Sequence, residues 1–405
     1  MRYRLFALLV LVIAAGAVHA DDWPRWLGPF GNGSSKETGL KLTWDEKGPK
    51  KLWEAEGGEG YSTIAVADGR AITLVQRGGK EIAVAFDAKT GSPLWQTPIA
   101  PGFKNSYGNG PRSTPTIDGD LVFVQSVSGN LACLRAKDGG FVWDKNLLTT
   151  FGGKNISWGL SASPIVDGDL VFAIPGGKGA GVAAFEKKTG KLAWKVGDDK
   201  AAYASPVVAT VGGKKQVVFF IAPGLVGVDP SSGKELWRMG WKTEFDCNIC
   251  TPIAIGEKLF VSSGESVGCA MLQLKGDSPP DVVWESRGKK GVMTNYWANA
   301  VVHGKHLYGL SGEFDKRIDL NCVDAETGTL VWSKAGAGKG ALLLAQDHLI
   351  FTTKTGDLVV AKADPARYQE VSRARVLGEN RTAPTLSNRR LYVRDLKKIV
   401  CFDLE

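Results

Sequence analysis

The densest grouping of reactive side chains in the 405 residues is Glu244, Asp246, Cys247 and Cys250. A Cys-Asn-Ile-Cys run can close a disulfide, remain as two thiols, or serve a metal or haem. Haem attachment needs a His after the second Cys, and Thr251 stands there instead. Zinc needs further ligands, and none are nearby. In an oxidising compartment the favoured expectation is a structural disulfide, Cys247 to Cys250 or one involving Cys269. Cys133, Cys322 and Cys401 fall in a slot otherwise held by Ala85, Ala184 and Gly227, which predicts small buried fillers. Past the leader only His303, His306 and His348 remain, the last two at hairpin positions equivalent to Asp120 and Asp169. A Ser-His-Asp hydrolase therefore has almost no material, no phosphate-cradling loop runs into a helix, and no metal site is expected.

A second set of candidates lies in segments that precede short apolar runs: Arg112, Trp158, Tyr203, Asp246 with Asn248, the run Asn295-Tyr296-Trp297, Lys339 and Arg381. Aromatic faces with Arg, Lys and Asn suit a planar acidic cofactor, a sugar or a peptide tail. The alternative for each is loop capping and water-mediated bonding inside a channel. Arg112 is the strongest single candidate, as a guanidinium expected to be unpaired and to need an anionic partner.

These segments are positioned by a repeat. One half-motif is a small or polar pair, an apolar alternation, an Asp-Gly turn and a second apolar run, as in STPTIDGDLVFV from Ser113 and ASPIVDGDLVFA from Ala162. Equivalent positions are Thr63, Thr114, Ser163, Ser205, Thr251, Asn299, Leu343 and Ala383, spaced by about 46 residues, a propeller-blade period. The other half is a strand, a Gly turn and an outer strand bearing Trp, which yields Trp95, Trp143, Trp194, Trp237, Trp284 and Trp332. The chain ends after Ile399 to Phe402 without an outer strand, whereas Trp53 precedes the first blade. The expected fold is thus all-β: an eight-bladed β-propeller of four-stranded antiparallel blades, closed by an N-terminal strand that completes the C-terminal blade. Consecutive apolar positions such as Leu121 to Val124 predict sheets covered on both faces, with Trp53 and the six other Trp residues packed between blades.

Residues 1–20 read as a signal peptide, with Arg2 and Arg4, an apolar run and the small-residue ending Val18-His19-Ala20. Residues 21–50 form an arm without blade pattern, whose Trp23, Trp26 and Trp44 are expected against the propeller flank; residues 51–405 form the propeller. The apolar run is too short for a membrane span, so a periplasmic or secreted location is expected. A formal charge of +8 spread along the chain, with no basic block, argues against nucleic acid.

The stretch AFDAKTGSPLW from Ala85 resembles the docking motif of the PQQ-like, quinoprotein alcohol dehydrogenase-like propeller family, and DWPRWLGPFGNG, GPRSTPTIDGD and SWGLSASPIVDGDLV are similar to secreted planctomycete-type members. For a dehydrogenase the resemblance implies PQQ at the central funnel, calcium beside it, a catalytic Asp, for which Asp246 is the candidate, a stacking Trp and a disulfide between adjacent cysteines. No two cysteines are adjacent here. The leading expectation is a binding or interaction scaffold for a protein, small-molecule or carbohydrate ligand at the funnel face. The alternative is a PQQ- and calcium-dependent alcohol or sugar dehydrogenase. A part in outer-membrane assembly is disfavoured because no Cys precedes Cys133 to carry a lipid.

Overall fold

The structure is a computed structural model that describes residues 21–313 and 317–405; the expected leader lies outside the described residues. The described residues form eight sheets, each of four antiparallel strands. Seven blades are continuous, at 65–101, 116–146, 165–196, 207–240, 253–287, 301–334 and 340–375. Second and third strands such as Leu121–Gln125 and Val182–Glu186 are apolar at successive positions and buried on both faces, as sheets stacked between neighbouring sheets require. Fourth strands such as Leu192–Val196 alternate, because only one side meets the core. The eighth blade combines Thr385–Ser387, Arg390–Arg394 and Lys398–Asp403 with Lys51–Glu56 as its outer strand, in the register Trp53 to Cys401 and Ala55 to Ile399. The two chain ends share one sheet, so the ring has no open seam.

The outer-strand tryptophans reach the next blade. The indole N–H groups donate to main-chain carbonyls one blade on: Trp53 to Ala88 (3.1 Å), Trp95 to Ala136 (2.9 Å), Trp143 to Lys187 (2.9 Å), Trp194 to Pro230 (2.8 Å), Trp284 to Ala325 (2.9 Å) and Trp332 to Asp364 (3.0 Å). Trp237 differs, bonding Gln216 Oε1 of its own blade (2.5 Å). The following blade carries a longer turn between Gly268–Gln273 and Asp281–Arg287, which removes the tight Gly turn that Trp would otherwise meet.

Two expectations about placement need correction. Strand Gly340–Ala345 pairs Ala345 with His348 across a two-residue turn, so the equivalent of Ser163 in blade seven is Ala341 and not Leu343. The arm is not confined to the flank. Trp44 does pack there, its main-chain N–H donating to Ser372 Oγ (3.1 Å) beside blade seven. The first half crosses the axial end of the ring: Trp23 N–H bonds Val66 O (2.7 Å), Ile117 N–H bonds Pro24 O (2.8 Å) and Ser35 N–H bonds Leu344 O (2.8 Å). The reason is that innermost strands have an unpaired edge, and the arm satisfies those main-chain groups in several blades. Among the described residues no helix is long and apolar enough to cross a membrane.

Candidate functional site

Where the inner strands begin, a belt of hydroxyls runs around the axis. Thr63 N–H donates to Thr114 Oγ1 (3.3 Å), Thr114 N–H to Ser163 Oγ (2.9 Å), Ser163 N–H to Ser205 Oγ (2.9 Å) and Ser205 N–H to Thr251 Oγ1 (3.2 Å). Ala383 N–H adds a fifth link, on Thr63 Oγ1 (3.3 Å). In these five pairs the following blade supplies the acceptor that its predecessor's first main-chain donor lacks. Trp26 reaches this belt from the arm, donating Nε1–H to Thr251 Oγ1 (3.0 Å).

Above the belt lies a cavity of about 560 Å³, with Trp26 in its lining. Its wall carries eight aromatic side chains of the described residues: Trp26, Tyr61, Tyr107, Trp158, Tyr203, Phe245, Tyr296 and Trp297. Several brace one another, Tyr107 edge-on to Trp158 (5.7 Å), Trp158 tilted on Tyr203 (5.8 Å) and Tyr296 on Trp297 (5.5 Å). The Trp158 N–H also meets Tyr203 Oη (3.4 Å), and burial pushes the Tyr203 phenol well above its ordinary value. The charged members among the described residues are Arg112, Arg381, Glu265 and Glu313.

Of the residues singled out in the sequence, the structure brings Arg112, Trp158, Tyr203, Tyr296, Trp297 and Arg381 together around this cavity. Lys339 lines a small adjoining hollow and sits over the Trp297 ring (5.5 Å). Asn248 and Asn295 are instead fully buried braces. Asn248 Nδ2 donates to Ile221 O (2.8 Å) and Trp241 O (3.1 Å), and Asn295 Nδ2 to Leu310 O (2.9 Å). Asn248 braces the end of strand Lys214–Ile221 against the residue just past Glu235–Gly240, and Asn295 holds the end of strand His306–Ser311. Asp246 lies outside the lining; its left-handed backbone (φ 56) turns the segment so that Phe245 and Ile249 face the cavity.

Arg112 is not unpaired. Its guanidinium donates to Gly108 O (2.8 Å) and Gly110 O and lies over the rings of Phe103 (5.2 Å) and Tyr61 (5.7 Å). Burial lowers its pKa, partly offset by Tyr61 and Glu81. The Cys247–Cys250 disulfide is not formed, and Cys269 pairs with neither: all six cysteines are free and buried. Cys247 Sγ turns to Phe245 O (3.7 Å), whereas Cys250 Sγ turns to Ala298 O (3.2 Å) in the next blade. Burial raises both thiols far above the nucleophilic range, and Glu265 adds to the shift at Cys247.

The sequence did not single out Tyr61, Tyr107, Phe245, Glu265 and Glu313, and it expected Trp26 on the propeller flank, whereas the arm's path across the ring carries it into the cavity lining. Tyr61 and Tyr107 occupy the same pre-strand segments that carried the other candidates. Glu265 and Glu313 come from loops between second and third strands of blades five and six, which also converge on the funnel. Two arginines among aromatic faces fit a planar anion such as PQQ in chemical type. Calcium fits less well: it takes about six to eight oxygen ligands, and among the described residues no three His, Cys, Asp or Glu side chains are grouped to hold a metal.

With this geometry in view, a family model described as outer membrane protein assembly factor BamB, built on PQQ-like repeats, matches residues 35–180, 79–309 and 316–403. The chain belongs to that PQQ-like propeller family. The protein of that description from Shewanella oneidensis is 22% identical over 204 residues, covering 50% of this chain and 48% of its own length. The chain thus spans about half the length of that curated relative. The crystal structure of BamB from Moraxella catarrhalis superposes with a TM-score of 0.61 at 16% identity, covering 87% of this chain and 98% of that one. Quinohemoprotein alcohol dehydrogenase from Comamonas testosteroni does so with 0.62 at 14% identity, covering 94% and 80%. At such identities these likenesses show the propeller fold alone.

Proposed function

We propose that this family member is an exported binding propeller whose site is the axial cavity, with the outer-strand tryptophans serving as docking elements that hold the blades around it. The observation that carries the reading is the cavity wall: aromatic faces on most sides, few charged groups, and a size within the range of small-ligand pockets. The thiols and the Asp that the sequence offered for chemistry do not face it. The thiols are buried and protonated, and Asp246 stands outside the lining. The half-exposed rim residues Phe245 (57%) and Tyr107 (47%) give a protein partner a foothold at the same mouth, in keeping with relatives named for membrane-protein assembly.

The test is a ligand panel against residues 21–405, read by tryptophan fluorescence and thermal shift. It includes sugars, short peptides, aromatic acids, and PQQ with Ca²⁺ in a dye-linked alcohol oxidation assay. Saturable quenching by at least one compound, lost in Trp158→Ala with the fold retained, is the expected outcome. Turnover with PQQ and Ca²⁺ would overturn the scaffold reading in favour of a dehydrogenase.

A further inference from the structure

The charged groups of the cavity are sorted by blade. Arg112 immediately precedes blade two and Arg381 immediately precedes blade eight, and both guanidinium groups lie over Tyr61, which precedes blade one (5.7 and 5.2 Å). Glu265 and Glu313 come from blades five and six, and Ser266 donates its hydroxyl to Glu313. In a ring of eight, blade five stands across from blade one. The cavity therefore has a cationic side and an anionic side, with aromatic wall between them.

Each side also carries a polar atom left without a partner. Arg381 uses one terminal nitrogen on Tyr107 O (2.8 Å) and the other on Glu379 Oε1 (3.2 Å), while its Nε is buried and unbonded. Glu265 Oε2 on the opposite side is likewise buried and unbonded. An unmet buried donor or acceptor is unfavourable, more so when charged, so each atom gains from a ligand end that reaches it. A simple anion satisfies Arg381 but leaves Glu265 unmet. A simple cation satisfies Glu265, with aromatic faces to help, but faces two guanidinium groups. A neutral sugar neutralises neither side.

We infer that the cavity takes a small zwitterion, its anionic end at Arg381 and Arg112, its cationic end at Glu265, and an apolar body along the aromatic wall. This rests on the cavity being the binding site. The simplest ligand of this type is a short peptide with both termini free, which separates its charges by more than one residue and so can reach both sides.

The experiment uses residues 21–405 and four forms of one tripeptide, alanyl-phenylalanyl-alanine: free, N-acetylated, C-amidated and doubly capped, titrated by calorimetry. The free form is expected to bind at least tenfold tighter than either singly capped form, and the doubly capped form weakest. Glu265→Gln erases the penalty for N-acetylation, and Arg381→Gln erases that for amidation. The wild-type series stands alone should either variant fold poorly. Equal binding of all four forms overturns the zwitterion while leaving the cavity a ligand site. So does silence of every form alongside a hit from the wider panel. Silence in both experiments overturns the two readings together.

Discussion

Glu81 sits in the strand Lys80–Asp87 with its side chain shut away from solvent, where one main-chain N–H, that of Val127, reaches it (3.1 Å). Desolvation raises its pKa from 4.5 to about 7, against the opposing pull of that N–H and of Arg112. The folded state therefore holds a proton between about pH 4.5 and 7 that the unfolded chain has released. Folding is favoured at the acidic end of that window and weakened as pH rises through it, with the full penalty present above pH 7. Glu81→Gln keeps an oxygen for Val127 and removes the ionisation. Urea melts at pH 5 and pH 8.5 check this: the variant is expected to gain on the wild type at the higher pH, by at most on the order of 2–3 kcal/mol, and to lie close to it at pH 5. A gain of equal size at both values would point to packing instead of charge.

At the scale of strands and turns, the contact between one blade's Trp and the next blade's Gly can be taken apart. Gly139 has φ +70, and a Cβ there would lie 2.5 Å from the Trp95 ring. Gly139→Ala thus incurs both a left-handed backbone and a clash, and is expected to cost about 2–4 kcal/mol. Trp95→Phe keeps a ring but loses the 2.9 Å bond to Ala136 O, about 1 kcal/mol plus the lost packing of the second ring. Differential scanning calorimetry should therefore rank the glycine variant as the worse of the two. The turn Gly and the interblade Trp were legible in sequence because they recur four residues apart in every clear copy, but that the Trp of one blade meets the next blade's Gly was not. The hydroxyl belt was not, although its members were the very positions used to count the repeat. Their partners lie a whole blade away in the chain, and nothing local says that a serine oxygen will serve the next blade's neighbour. The Cys247–Cys250 pair failed for a related reason: spacing permits a bond, but the left-handed turn at Asp246 and the pull of the neighbouring blade send the two sulfurs apart. Glu265 and Glu313 were not legible because they lie in loops between second and third strands, away from the segments that enter each blade.

At the scale of the molecule, a ring is only as strong as the seam where its ends meet. Strand pairing between Lys51–Glu56 and Lys398–Asp403 joins the ends within blade eight, but blade eight must also hold blade one. Arg394 spans that junction. Its buried guanidinium donates to Gly58 O (2.7 Å), Leu74 O (2.7 Å), Thr73 Oγ1 (3.1 Å) and Ser62 O (3.3 Å), all in or beside blade one. Burial brings its pKa down to about 10, still far above neutrality, so the group remains charged and fully able to donate. Arg394→Met has nearly the same length and removes the desolvated charge, which by itself can be neutral or favourable. It also removes four hydrogen bonds and strands the carbonyls of Gly58 and Leu74, since Ser62 O keeps the Thr73 hydroxyl (3.2 Å); each stranded carbonyl costs about 1–3 kcal/mol, and this side of the balance is larger. The variant is expected to lose at least about 3 kcal/mol in urea unfolding and to become sensitive to protease near Gly57 and Gly58 before the rest of the ring opens. If strand pairing alone held the seam, Arg394→Met would leave both readouts unchanged while Trp53→Ala, which removes the indole packed on Phe86 and Tyr392, would still be damaging. Comparing the two variants therefore assigns closure either to the shared sheet or to the guanidinium that ties it to its neighbour.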